Sequence, residues 1–373
     1  MMRTPRGVFL ALSLLVTSCG GAAVGAPGSA TPKLSDQLAA VVSAARAELE
    51  LTLSWAPGYL DAGQETRSLT DGFNKQYGLK LGVTSKPTGL SLHDSAARVI
   101  DEYKRGTKGS TDVVIGTEAE ISEMSRAGAL YNEPWQTWSP NIVNLRMVAA
   151  GGVGVQIQTR TPGITYNSTR LTGTSVPKSL ADLLKPQYKG RIATTASTSL
   201  FERLALDEVW GPDRTLGYVR ALAAQVGGTI NCGDEDRIVK GDFDVLVFDC
   251  GSARTSQMKA RGTLIGWSEP TDAAFLGYLY MAVPKNAVHP NAAKLFINYI
   301  LGREAQDIMY QSEFADLHTL PGSKTFPDVD RATKTGVKFY ELTTEVVESE
   351  ANRTGKAVTA AQAAIREALA PKK

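Results

Sequence analysis

The chain has 373 residues, with 40 basic against 38 acidic side chains and three histidines. That length is enough for two domains with cores of their own, and so even a charge balance gives no support to nucleic-acid binding, which needs a basic stripe. Three histidines without a recognisable partner leave little room for a Ser-His-Asp arrangement, and no GxSxG elbow, HExxH, P-loop or CxxC occurs.

The first stretch, MMRTPRGVFLALSLLVTSCGG, places Arg3 and Arg6 before an apolar run from Val8 to Val16 and small residues before Cys19. This is the layout of a secretory signal, and the run is far shorter than the roughly 20 residues a helix needs to cross a bilayer. Val16-Thr17-Ser18-Cys19 resembles a bacterial lipobox, in which Cys19 is lipidated and becomes the first residue of the mature chain. An ordinary signal with a chance cysteine is the alternative. Removing residues 1–18 takes away two arginines and no acid, so the mature chain carries 38 charges of each sign. Residues 19–33 are small and unpatterned and read as a flexible tether. The fold is expected to begin near Leu34, in a soluble body outside the cytoplasm.

From there helical and strand patterns alternate. SDQLAAVVSAARAE has a Ser35 cap and one apolar face at 38, 41, 42 and 45, and leads into LELTLSW with the period of a strand. A helix over 61–77, the strand LKLGVTS, the helix LHDSAARVIDEYKRG and the strand TDVVIG complete a βαβαβ order, which implies a mostly parallel sheet covered by helices. Ligands in such sheets bind beyond the carboxyl ends of the strands. A second set follows. Residues 151–167 are extended and broken by Gly and Pro, SLADLLKPQYKG reads as a helix with a stop, and RIATTASTSLFERLALDEVW as strand, polar turn and helix. TLGYVRALAAQVGG reads as a helix, DEDRIVKG as a short one, and DVLVFD as a strand. FLGYLYMAVPKNA returns to strand, and HPNAAKLFINYILGREAQDIM reads as one long amphipathic helix. The tail beyond 334 reads as an extended piece followed by helices, the last near 359–369.

HPNAAKLFINYILGREAQDIM, TDVVIGTEAEISEMSRAGAL, GITYN and SLADLLKPQYKGRIA resemble, in order, segments of the extracellular solute-binding proteins of ABC importers. The resemblance is greatest to the group that includes ferric-iron, thiamine and spermidine binders, and it runs from about Ser35 to Gly322. It implies a type 2 periplasmic-binding-protein fold: two α/β lobes joined by two crossing segments, closing on a ligand about the hinge. Lobe one would be 34–150 plus 271–373 and lobe two 151–270, with AAGGVGV as the first crossing and GWSEPTDAAF as the return. A linear split near residue 150 is the alternative, but it separates the strand at 275–283 from the sheet it should extend.

Candidate ligand contacts follow from loops at strand ends. Trp55 offers an aromatic wall. Thr88, Gly89 and Ser91 precede a helix and offer hydroxyl and amide groups to an anion, although Ser91 also reads as a plain cap. Thr117 and Glu118 follow DVVI, where Glu118 either pairs with an amine or suits the helix dipole. Ser197 and Thr198, in TTASTS, suit a phosphate or carboxylate at a helix start, with capping as the alternative. Asp249 and Ser252 close the last strand-end loop, and Asp272 lies near the return crossing as a contact or a solvated hinge residue. In iron-binding members of the family two adjacent tyrosines supply phenolates just after the corresponding strand. Here those positions read Asp249, Cys250, Gly251 and Ser252, and no adjacent tyrosine pair occurs. Lipidation of Cys19 would leave Cys232 and Cys250 as an expected disulfide at one end of lobe two's sheet, with two free thiols as the alternative.

The expected function is capture of a small solute and its delivery to an ABC permease by a monomeric protein held at the membrane by its lipid. It would be an exported cell-envelope lipoprotein with no cofactor, no enzymatic activity and no nucleic-acid partner. A ligand-binding sensor without transport, a ferric binder with a non-tyrosine site and a secreted hydrolase are the alternatives. Trp55, Glu118, Asp249 and Asp272 would suit a cationic amine. Thr88, TTASTS, Ser252 and Arg254 would suit a phosphate or carboxylate.

Overall fold

The computed structural model describes residues 35–54, 64–86, 89–195, 200–249 and 251–349, with positions 363, 364, 366 and 367 of the tail. The signal, the tether, Trp55, Thr88, Ser197, Thr198 and Cys250 lie outside the described residues.

Ser35 caps α1 (Asp36–Glu48): its Oγ accepts from Leu38 N at 3.2 Å, and Leu38, Val42 and Ala45 form the buried stripe. Leu49, at φ 63°, turns the chain into β1 (Glu50–Leu53), where Leu51 and Leu53 are buried. After α2 (Gln64–Tyr77), β2 (Gly82–Ser85) lies parallel to β1 with Ser85 opposite Leu53. α3 (Leu92–Lys104) leads to β3 (Val114–Gly116), and a parallel bridge from Leu53 to Val113 sets the three strands side by side. Their carboxyl ends therefore share one edge, from which α4 (Glu118–Arg126) departs, followed by α5 (Trp135–Trp138).

The chain continues through β4 (Val155–Arg160), β5 (Ile164–Asn167), β6 (Ile192–Thr195), α6 (Gly211–Ala223), β7 (Val226–Ile230), α7 (Asp236–Lys240), β8 (Val245–Val247), α8 (Ser252–Ala260) and β9 (Ile265–Ser268). Five of these strands form a sheet in the order β7-β6-β8-β5-β9. The nine-residue β10 (Ala274–Ala282), buried throughout, runs antiparallel to β3 and β4. Three helices follow, α9 (Pro290–Ile300), α10 (Arg303–Glu313) and α11 (Phe326–Lys334), before β11 (Phe339–Glu341) pairs parallel with the start of β10. Asp112 ties α9 to β1: its carboxylate accepts from Thr52 N, Val288 N, His289 N and His289 Nδ1 at 2.7 to 2.9 Å.

The five-stranded sheet and the sheet built on β10 are mixed rather than mostly parallel, whereas β1 and β2 pair in parallel. A parallel neighbour arises where a helix carries the chain back between two strands. β5 and β10 each enter their sheets from a short connecting segment with no such helix, and both lie antiparallel to flanking strands.

Two large hydrophobic cores result, beside a small cluster of Ala193, Ile230, Ile238, Phe243 and Leu246. One takes residues from Leu38 to Ile157 and again from Leu276 to Val329. The other takes residues from Ile164 to Phe275, with Leu342 from the tail. Because β4 pairs with β10, residues 155–160 pack with the first core and the second begins at Ile164. AAGGVGV is not a crossing: residues 150–152 form a 3₁₀ turn beside α5, where Gly152, at φ +73°, leaves room for the Glu133 carbonyl.

Three helix expectations change. Residues 178–190 form two 3₁₀ turns, Ala181–Leu184 and Pro186–Tyr188, because Pro186 lacks an amide donor and holds Lys185 extended at ψ 142°. Where a helix was expected after TTASTS, residues Glu202–Ala205 form a 3₁₀ turn. The expected helix from 290 to 309 is two helices, parted at Gly302, which is extended at ψ 154°. Glycine is a poor helix former, and the break turns α10 back to pack on α2.

Candidate functional site

The shared edge of β1, β2 and β3 forms one wall. Ser54, next after β1, is 6% exposed; its amide donates to Thr111 Oγ1 at 3.1 Å, and its Oγ accepts from Arg98 Nη2 at 3.4 Å. Ser85 Oγ, at the end of β2, is sealed from solvent without a hydrogen-bond partner. Thr117 caps α4 in a capping box with Glu120, accepting from Ala119 N and donating to Glu120 Oε2. Ser91 caps α3, accepting from Asp94 N at 3.1 Å and donating to Asp94 Oδ2 at 2.7 Å. Both hydroxyls thus serve the backbone of their own helices.

Glu118 is placed differently. Its side chain is 9% exposed and faces Arg203 of the second core, whose Nη2 donates to Glu118 Oε1 at 3.5 Å. Burial pushes its carboxyl above the usual range, while Arg203 and then Arg160, at the end of β4, act against that rise. The two cores thus meet through opposite charges held out of water.

On the second core's side, Asp249 is buried, and three donors take up its carboxylate: Gly163 N and Gly251 N at 2.9 Å and Thr165 Oγ1 at 2.5 Å. Burial raises its pKa, and these three donors oppose the rise. It therefore fixes the connection from β4 to β5 against the loop after β8. Ser252 joins the same junction: its amide donates to Thr161 O at 3.0 Å, and its Oγ lies 2.6 Å from Thr161 Oγ1. Beside them, burial and then the charge of Asp249 push Glu269 from the usual 4.5 to about 8, and its Oε1 is sealed without a partner. Trp267 Nε1 and Thr194 Oγ1 are likewise sealed and unpartnered. Arg254 pairs with the buried Glu235 at 3.1 Å. Asp272 accepts from Leu180 N and Ala181 N and so caps the 3₁₀ turn at Ala181–Leu184. Cys232 lies between β7 and α7. Among the described residues no group of three or more His, Cys, Asp and Glu is placed to hold a metal ion.

Of the candidates, Glu118, Asp249 and Ser252 lie where the cores adjoin, whereas Ser91, Thr117 and Asp272 are taken up by capping. Arg98, Arg160, Arg203, Ser54 and Glu269 were missed. Arg203 alone carried a signal, as a basic residue inside the apolar run LFERLALDEVW.

Residues 150–340 match the family of bacterial extracellular solute-binding proteins. The chain belongs to this family. The Fe(3+)-binding periplasmic protein of Serratia marcescens is 25% identical to it over 305 residues, covering 75% of this chain and 86% of the other. Iron-bound HitA from Pseudomonas aeruginosa superposes with a TM-score of 0.64 at 18% identity, covering 86% of this chain and 99% of HitA. AfuA from Actinobacillus pleuropneumoniae, with fructose-6-phosphate bound, superposes with a TM-score of 0.57 at 18% identity, covering 72% of this chain and 84% of AfuA. This solute-binding protein thus has the two-lobed α/β fold of type 2 periplasmic binding proteins of ABC importers, and it is a binding protein, not an enzyme. Membership of an extracellular family makes it an exported protein.

Proposed function

We propose that this protein captures a small polar solute between its two cores and delivers it to an ABC permease, acting as a monomer tethered through lipidated Cys19. The observation that carries the reading is the Glu118–Arg203 pair. Burying two opposite charges is costly unless they are well paired, and this pair joins the cores beside the carboxyl ends of β1, β2 and β3. Charged groups gathered at a hinged junction suit a polar ligand that draws the lobes together. In this reading the lobe division follows the sequence expectation, with its first boundary moved to Arg160 because β4 pairs with β10.

Thermal-shift screening of the mature protein against organic phosphates, carboxylates, polyamines, thiamine and ferric complexes tests the reading. A ligand at 100 times its dissociation constant that binds only the native state stabilises by about 2.7 kcal/mol. A panel that shifts nothing would count against solute capture. The Serratia relative favours a second reading, ferric iron, which gains if ferric complexes alone shift the melting point.

A disulfide between Cys232 and Cys250 is part of the proposal. Lipidation of Cys19 would leave these as the two remaining cysteines of an exported protein, which supports the pairing. A bridge closing a loop of this size contributes on the order of 3 kcal/mol. Two free thiols on mass measurement of freshly purified, unreduced protein would refute it.

A further inference from the structure

Arg98 differs from the ion-paired arginines of this protein. Arg191, Arg237 and Arg254 each reach a carboxylate. Arg98, half-buried on α3, reaches the Ser54 hydroxyl through Nη2 at 3.4 Å and no carboxylate among the described residues. Its Nε is sealed from solvent without an acceptor, and so are two hydroxyls, Ser85 Oγ at the end of β2 and Ser95 Oγ one turn before Arg98 on the same helix. Ser85 lies opposite Leu53 across the parallel register, and Ser54 is the next residue of the chain after Leu53. A buried donor with no acceptor is unfavourable, and a guanidinium with no counter-charge more so. Such a group in a native fold calls for an explanation, and a bound ion or ligand is one that fits a guanidinium beside hydroxyls.

We propose that Arg98, Ser54 and Ser85 form a subsite for an oxyanion of the solute, a phosphoryl or carboxylate group. The guanidinium supplies a fixed fork of donors, and both hydroxyls turn their hydrogens toward the anion. Ser54 and Ser85 stand at the carboxyl ends of the parallel strands β1 and β2, the end at which ligands of α/β sheets bind. The inference rests on solute capture between the cores and narrows the solute to an anion, setting aside a polyamine. It also makes Arg98 a specificity-determining residue that the sequence pattern did not distinguish from a surface arginine.

The test uses the mature protein in low-salt chloride buffer, with wild type, Arg98→Gln, Arg98→Lys and Ser85→Ala compared by thermal shift and calorimetry. The probes are inorganic phosphate, citrate and putrescine, and small-angle scattering follows closure. Phosphate or citrate is expected to stabilise wild type, and whichever binds more tightly tells a phosphoryl from a carboxylate site. Arg98→Gln should weaken that anion at least about tenfold, the loss expected of a charge-assisted hydrogen bond. Arg98→Lys should recover only part of it, because lysine lacks the fork. Ligand-free Arg98→Gln should melt at or above the wild-type temperature, since the cation it removes has no counter-charge. A lower melting point without ligand would give Arg98 a merely structural role and overturn the subsite. So would anion binding that survives Arg98→Gln, wild type that ignores both anions, or putrescine as the one stabilising probe. An anion shift lost in Arg98→Gln, but without any change in scattering, would leave the subsite standing and remove capture between closing lobes.

Discussion

Glu269 and Asp249 are two acids in one buried junction, and their surroundings treat them differently. Asp249 is held by three donors, whereas Glu269 Oε1 has none, and burial lifts the Glu269 pKa to about 8. An acid whose folded pKa lies above its unfolded value of 4.5 contributes stability fully below about pH 4.5, and that contribution is lost as pH rises through about 8. Glu269→Gln removes the titration while keeping the shape. The difference in melting temperature between variant and wild type should therefore be small near pH 5 and grow toward pH 8, by at most on the order of 1 kcal/mol per pH unit. A difference that stays flat over this range would show that Glu269 ionises without strain. His318 works in the opposite sense: burial lowers it to about 4, so its contribution is present above its unfolded 6.5 and lost as pH falls through about 4. Local chemistry was legible at this scale. Ser35 and Ser91 cap the helices that their positions suggest, because a cap bonds to amides two or three residues away, whereas Thr117, read as a ligand contact, also proved to be a cap. Asp249 and Asp272 were not legible in this way, because apart from Gly251 N their partners lie 84 to 92 residues distant.

At the scale of elements, the link from β4 to β5 passes under Trp267 of β9. A Cβ on Gly163 would lie 2.7 Å from Trp267 Cε2 and 2.8 Å from Ser268 O, so Gly163→Ala must shift β9 or the link. Overpacking of this kind costs typically about 1–3 kcal/mol. Gly217, exposed on α6, has nothing within 4 Å of such an atom. Gly217→Ala should instead stabilise by about 0.5–1 kcal/mol, because alanine favours the helix. Chemical denaturation of the two variants should give opposite signs; two losses would contradict the space around Gly217. Element type was mostly readable from periodicity, and it failed where a single residue overrode a periodic pattern. Pro186 broke one expected helix into 3₁₀ turns, and Gly302 divided another in two. Strand direction was unreadable, since it depends on how each strand enters its sheet.

For the whole molecule, the two cores are joined by more than the β4–β5 link and the passage into β10. β11 also lies along the junction: Phe339 packs on the first core, and Tyr340 and Leu342 on the second. The tail then returns to the first core, where Thr344 Oγ1 accepts from Ala150 N and Glu348 pairs with Arg126. Against this framework the Glu118–Arg203 pair should act on the relation between the cores more than on either core. Arg203→Met leaves Glu118 with a weaker counter-charge, and Glu118→Gln removes the charge that faces Arg203. Each change should raise the radius of gyration of the ligand-free protein in small-angle scattering, and the double variant should recover toward wild type. Breaking one member of a buried pair costs about 3–5 kcal/mol, whereas removing both costs much less. Single variants that scatter like wild type would mean the pair does not hold the cores together.

The order of helices and strands, the α/β class and the family resemblance all came from the sequence, because each rests on patterns between residues close along the chain. Periodicity, caps and the helix-start segment HPNAAKLF need no knowledge of distant partners. The site did need it. Arg98 meets Ser54 across 44 residues and Arg203 meets Glu118 across 85, contacts created by the β1–β2 register and by the chain passing between two cores. Such pairs follow no spacing rule, since sheet order and crossing points decide which residues meet. Which polar atoms are left buried without a partner is likewise a property of packing, and only the tertiary structure decides it.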